Sequence, residues 1–187
     1  MNVMLRPGWT LEQFLAWEER QPTRYEFDGK NVIDMNGSTV RHQMICGNLH
    51  AILHGHFRAH PGQVLLPTQI RTGSAVRYPD VAVALASQAL DHRHVIDPVI
   101  LFEVTSPSTE LTDMTFKVDE YTSLSSLARY VVLAQSAMLI LVFTRAGERW
   151  ELTKLRDGSL DLPEIGLALS LDDIYAGVTF ETEPQLR

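Results

Sequence analysis

Three charged residues stand where the surrounding sequence is apolar. Asp80 opens the run Val81-Ala82-Val83-Ala84-Leu85, Glu103 interrupts Val99-Ile100-Leu101-Phe102-Glu103-Val104, and Lys117 falls on the apolar stripe of a downstream helix. An ionised carboxylate inside a strand buried on both faces is costly unless a cation or metal pairs with it. Two acids at adjacent strand ends make a divalent-metal site, and hard cations such as magnesium, with manganese as a substitute, take oxygen ligands and keep several waters. Met114, Lys117, Val118 and Tyr121 follow the i, i+3, i+4, i+7 spacing of one helix face, so the lysine points toward the sheet. There it can meet the charge of a pentavalent phosphate or position an attacking water. Each residue alone has a plainer explanation. Glu103 and Lys117 can form a structural ion pair, Lys117 can reach solvent along its four-carbon stem, and Pro79-Asp80 is a common turn dipeptide. The three together, in this order, point to chemistry.

The elements that must position these residues follow from periodicity and punctuation. Thr10-Leu11-Glu12-Gln13 fits a capping box and predicts a helix to about Glu19. Tyr25-Glu26-Phe27, the Asp28-Gly29 turn and Asn31 to Met35 read as an N-terminal hairpin. From Thr39, apolar Ile45, Leu49, Ile52, Leu53 and Phe57 recur at helical spacing, with His42 on the same stripe, until Pro61-Gly62. Val64-Leu65-Leu66, Thr68 to Arg71 and Val81 to Leu85 predict strands, with a Gly-Ser turn among them. The run Val99 to Val104, apolar on both faces, belongs in the middle of a sheet. A loop at Ser106-Pro107-Ser108-Thr109 separates it from a helix of roughly Asp113 to Leu127, whose stripe continues through Leu124 and Ala128. Further strands are expected at Tyr130 to Leu133, Met138 to Thr144 and Trp150 to Leu155, with a short helix near Leu171 to Ile174.

The 187 residues fit one domain spanning 1–187, with no repeat or linker. A 45% hydrophobic and 21% charged composition is that of an ordered globular chain. The longest apolar run, Met138 to Phe143, is far shorter than a membrane span, and the start has no continuous apolar signal region, so a cytoplasmic location without membrane contact is expected. The single cysteine, Cys46, excludes an internal disulfide and a Cys-based zinc cluster, and its helical surroundings predict core packing. A net charge of −7 argues against broad nonspecific attraction to nucleic acid, although a local basic surface can serve phosphates on an acidic protein.

Other chemistry fares less well. His50 and His54 have a zinc-chelating spacing, but the glutamate of an HExxH motif is missing, and a solvated helix face accounts for them. Ser106 and Ser108 lack a Gly-x-Ser-x-Gly elbow, and no phosphate-binding glycine-rich motif occurs.

Taken in succession, Tyr25-Glu26-Phe27-Asp28-Gly29-Lys30, His42, Tyr78-Pro79-Asp80-Val81, Phe102 to Thr109, and Asp113-(x)3-Lys117-(x)3-Tyr121 resemble the Uma-type restriction endonuclease family, within the PD-(D/E)xK nucleases, over about Thr10 to Ile174. The resemblance implies an α/β (α+β) restriction-endonuclease-like core, a mixed sheet of about four central strands flanked by helices, with the acids at a bend in the sheet. It implies a magnesium-dependent endonuclease acting on DNA, with a catalytically degenerate nucleic-acid- or protein-binding member of the fold as the alternative. Asp80 and Glu103 match the metal-binding acids. Thr105 occupies the place where the superfamily usually has its lysine, and Lys117 matches the lysine that this family supplies from the following helix. Glu26 matches a further acid that can bind the metal or orient a water. His42 matches a site-proximal histidine, and Gln69, Thr105 and Tyr121 complete the residues expected nearby. The chain departs from the family's aromatic pair and strand aspartate, having Arg129 to Gln135 there. Nucleases that cut both strands often pair, so a homodimer is compatible with this reading.

Overall fold

Alternation along Ile100–Thr105 explains the architecture. Ile100, Phe102 and Val104 point to one face and Leu101, Glu103 and Thr105 to the other, and apolar residues dominate both, so the strand needs cover on each side. A computed structural model provides that cover. It describes residues 3–6, 8–35, 37–105 and 112–180, with the side chains of 112–116 outside that description. The expected loop at Ser106 to Thr109 and the side chain of Met114 therefore lie outside the described residues.

The chain runs β1(Val3–Leu5) α1(Leu11–Glu18) β2(Tyr25–Phe27) β3(Asn31–Asp34) α2(Val40–Phe57) β4(Gln63–Leu65) β5(Ile70–Thr72) β6(Ala75–Arg77) β7(Val81–Ala84) β8(Ile100–Thr105) α3(Thr112–Thr122) β9(Arg129–Ala134) β10(Ile140–Ala146) β11(Arg149–Leu155) β12(Ser159–Leu162) β13(Leu167–Ser170) α4(Leu171–Ile174). The main sheet has the order β11-β10-β9-β8-β7-β4, and β8 lies inside it as expected. Only β8 and β9 pair in parallel; the other neighbours are antiparallel, so the sheet is mixed. A parallel pair needs a crossover, and α3 is part of it. That connection carries Lys117 back over the strand that holds Glu103.

Helix α2 opens at Thr39, whose hydroxyl accepts from the His42 N–H, and buries Ile45, Leu49 and Leu53 at four-residue intervals. These pack with Val81, Val83, Ile100, Phe102 and Val104 on one face of the sheet, where β12, β13 and α4 close the same core. The opposite face carries Ala82, Leu101, Tyr130 and Val132 under Tyr121 and Leu127.

The expected hairpin is present, turning at Gly29 with φ 86°, where Asp28 Oδ1 accepts from the Lys30 and Asn31 N–H groups. It is part of a larger unit than the sequence indicates. Two unforeseen strands, β1 and β6, together with β5, extend it to a second sheet of order β1-β3-β2-β6-β5. Helix α1, with the expected capping box at Thr10 and Gln13, packs Phe14 on Phe27 with ring centroids 4.9 Å apart. From β6 the chain passes through Tyr78-Pro79 into β7, so Asp80 stands where one sheet hands over to the other.

Two further expectations are corrected. Helix α3 stops at Thr122 and not near Leu127. The Thr122 and Ser123 hydroxyls donate to the Asp119 and Glu120 carbonyls, and Arg145 donates to the carbonyls of Thr122, Leu124 and Leu127, so the backbone groups that would continue the helix are satisfied otherwise. The tail also contains an unforeseen hairpin, β12–β13. Among the described residues, no helix is long and apolar enough to cross a membrane.

Candidate active site

The β7–β8 pairing places the two expected metal acids opposite each other. Val81 pairs with Phe102 and Ala82 with Leu101, and continuing this register by one residue sets Asp80 across from Glu103. Directly opposed residues of an antiparallel pair have Cβ atoms about 4.5–5.5 Å apart. The Val104 N–H donates to Asp80 Oδ2 at 2.7 Å, which ties the aspartate to the strand that carries the glutamate.

Lys117 reaches this pair from α3. Its Nζ donates to Glu103 Oε1 at 3.1 Å and to Glu26 Oε1 at 3.0 Å, while the Tyr121 hydroxyl, one helical turn on, donates to the same Glu103 oxygen at 3.0 Å. The lysine thus bridges Glu103 and Glu26. Asp80 instead has His42 as its ionic partner, with Nε2 3.2 Å from Oδ2. Among the described residues, Oδ1 of Asp80 and Oε2 of Glu103 have no hydrogen-bond donor.

A group absent from the sequence argument holds Glu26 in place. Arg77, buried with its side chain 4% exposed, donates to Glu26 Oε2 at 3.1 Å and, in a forked contact, to both oxygens of Glu120 at 2.6 and 2.8 Å. The Tyr78 N–H adds a bond to Glu26 Oε1. A three-residue strand, Ala75-Val76-Arg77, gives little periodicity from which to infer burial. The available signal was an arginine beside two small apolar residues and next to Tyr78-Pro79-Asp80.

The protonation preferences follow from these contacts. Burial pushes the Glu103 carboxyl up, and the Asp80 and Glu26 charges add to that against the pull of Lys117, giving about 7. Burial would also raise Glu26, but the Lys117 and Arg77 charges outweigh it and hold Glu26 below its ordinary value. Burial disfavours the Lys117 ammonium, yet Glu103 and Glu26 keep it well above the usual lysine range. His42 is raised because its bond to Asp80 and the charges of Asp80 and Glu103 outweigh burial. Lys117 is therefore held as a cation, and Glu103 is a carboxylate whose charge is made costly chiefly by burial.

These groups line an open cleft of about 600 Å³ that includes Glu26, His42, Asp80, Glu103 and Lys117. Thr105 lies on its wall, and Gln135 links the Thr39 hydroxyl to the Thr105 carbonyl, so the start of α2, the end of β8 and the end of β9 are joined there. Gln69 is not in this cleft. It lines a neighbouring hollow beyond Tyr78 and donates to the Tyr78 hydroxyl at 2.9 Å. Cys46, expected in the core, packs against it but is only partly buried and also lines the cleft, with Sγ 3.6 Å from His42 Nδ1.

The family model described as "Uma2: Putative restriction endonuclease" matches residues 11–172. An uncharacterised protein from Synechocystis sp., slr1290, is 28% identical over 180 residues, which cover 93% of this chain and 95% of that protein. A crystal structure described as a putative nuclease belonging to DUF820 from Anabaena variabilis superposes with a TM-score of 0.74 at 17% identity, covering 91% of this chain and 99% of that one. At that identity the likeness establishes the fold.

Proposed function

Because the chain belongs to the Uma2 family of putative restriction endonucleases, we propose that it is a metal-dependent endonuclease that hydrolyses phosphodiester bonds in DNA. The observation that supports this reading is Asp80, bonded by the Val104 N–H to the strand that carries Glu103, with the Lys117 ammonium hydrogen-bonded to Glu103 in an open cleft.

The donor set fits a hard divalent cation. Asp80 and Glu103 offer carboxylate oxygens, one oxygen of each has no donor among the described residues, and a glutamate pushed up to about 7 is a site that gains from added positive charge. Asp80 and Glu103 would hold magnesium or manganese, which when bound neutralises phosphate charge and lowers the pKa of a neighbouring water. The Val104 N–H and His42 orient Asp80, and Tyr121 orients Glu103. As a permanent cation, Lys117 donates hydrogen bonds, so it orients the attacking water and meets charge developing on the phosphate. Glu26 is a positioning residue. Both of its oxygens are engaged by Lys117, Arg77 and the Tyr78 N–H, which fix the lysine between Glu26 and Glu103.

The net charge of −7 favours a second reading, a catalytically degenerate member that binds nucleic acid or a protein. Two measurements separate them. Magnesium should raise the melting temperature of the wild type and not of Asp80→Ala. Plasmid, single-stranded DNA and RNA incubated with magnesium or manganese should give cleavage of DNA, and folded protein that cuts none of them contradicts the enzyme reading.

A further inference from the structure

We propose a second metal site in the same cleft, in which His42, Cys46 and Asp80 hold a thiophilic divalent ion of the zinc type. His42 and Cys46 are four residues apart on α2, the spacing that stacks side chains one turn apart on the same helix face. Their donors approach to 3.6 Å, between Nδ1 and Sγ, and His42 Nε2 lies 3.2 Å from Asp80 Oδ2. One donor atom from each of the three residues falls within 4.8 Å of the other two.

Zinc bonds of about 2.0 Å to nitrogen or oxygen and about 2.3 Å to sulfur put tetrahedral donors about 3.3 Å and about 3.5 Å apart. Each of the two contacts is of that size taken singly, but they use different ring nitrogens, and the set with one atom per residue spans up to 4.8 Å. The imidazole now shows one nitrogen to each neighbour, so an ion would take one of them and give up the other contact, with side-chain rotation closing the remaining distance. Three protein ligands leave a fourth position open to the cleft, the arrangement of accessible zinc sites. The His42 and Asp80 side chains are 18% and 20% exposed, which leaves a route for entry.

The donor chemistry selects the ion. A thiolate and an imidazole favour zinc over magnesium, whereas Glu103 with Asp80 favours the reverse. On ligation the Cys46 S–H loses its proton to solvent and the thiolate binds the ion. Asp80 is common to both sets, so a zinc-type ion held by His42 and Cys46 at Oδ2 draws on the carboxylate that the magnesium pair uses and repels a second cation beside it. The resulting inhibition of magnesium-dependent cleavage rests on the proposed function; the site itself does not.

Cobalt(II), a coloured stand-in for zinc, tests the site without any activity measurement. Titrated into reduced wild-type protein, it should give a sulfur-to-cobalt charge-transfer band that saturates at one ion per chain and is displaced by zinc. Cys46→Ser should lose the band, with an unchanged circular dichroism spectrum establishing that the variant is folded. Glu103→Gln should keep it while losing the magnesium-induced rise in melting temperature. Absence of the band in wild type, its persistence in Cys46→Ser, or its loss in folded Glu103→Gln would overturn the assignment. If the band is present but no nucleic acid is cut, the nuclease reading fails and the zinc-type site stands.

Discussion

Glu26, Glu103 and Glu120 crowd around Lys117 and Arg77, and the balance among them sets how the protein responds to pH. Glu26 lies below its ordinary value of 4.5, so its ionised form stabilises the fold above that pH and the contribution disappears as pH falls. Glu103, pushed up to about 7, acts in the opposite sense. Its neutral form is preferred in the fold, so stability declines as pH rises from 4.5 through about 7. His42 is raised, and its charged form favours folding until pH passes its folded value, which adds to the same decline. In metal-free buffer the melting temperature should therefore peak near the acidic edge of this window and fall toward neutrality. Glu103→Gln should make the fall shallower, and a profile unchanged by that substitution would contradict the assignment. Arg77 supplies a further test at this scale. Replacing it with Met leaves Glu120 without its cation and Glu26 with Lys117 alone, and breaking a buried pair in this way costs about 3–5 kcal/mol. Urea denaturation would read that loss, and Glu26→Gln in the same background should recover part of it.

The start of α2 brings His42 to Asp80, and Thr39 holds that start in two ways. Its hydroxyl accepts from the His42 N–H as helix cap and donates to Gln135, whose amide in turn donates to the Thr105 carbonyl. Thr39→Ala should lower stability by about 1 kcal/mol for the cap, and more if the Gln135 link is also lost, as measured by thermal or urea unfolding. A cost well below that would mean the cap does not hold the first turn. The legibility of each element tracks how much pattern it contains. The Thr10 and Thr39 helix starts, the buried run around Glu103 and the placement of Lys117 all follow from periodicity that a single sequence displays. Lys117 can be placed because Met114, Val118 and Tyr121 share its helix face at helical spacing. Its second partner, Glu26, is 91 residues away, and nothing local announces that pairing. The strands β1 and β6 have three residues each, too few for a period of two to register, and with β6 went Arg77. The end of α3 is not legible in the sequence because the apolar stripe continues past Thr122, while the groups that stop the helix include an arginine on β10.

Across the whole molecule, the two sheets meet at Tyr78-Pro79-Asp80, and the cleft at that junction gathers side chains from β2, β8, α2 and α3. Its negative character accords with the chain's net charge of −7, so under the proposed function affinity for a polyanion would come from bound cations and from Lys117 more than from a broad basic surface. Binding of nucleic acid should accordingly strengthen when magnesium is added, and fluorescence anisotropy of a labelled duplex with and without the ion would measure this. Cleavage of closed circular plasmid DNA in magnesium decides whether the cleft is a nuclease active site. Wild-type protein should nick or linearise the plasmid, and Glu103→Gln and Lys117→Met, each verified as folded by circular dichroism, should reduce the rate by at least about 100-fold, the scale of losing one group that stabilises transition-state charge. Folded wild type that leaves the plasmid intact, or a Glu103→Gln variant that cuts as fast as wild type, would contradict the account.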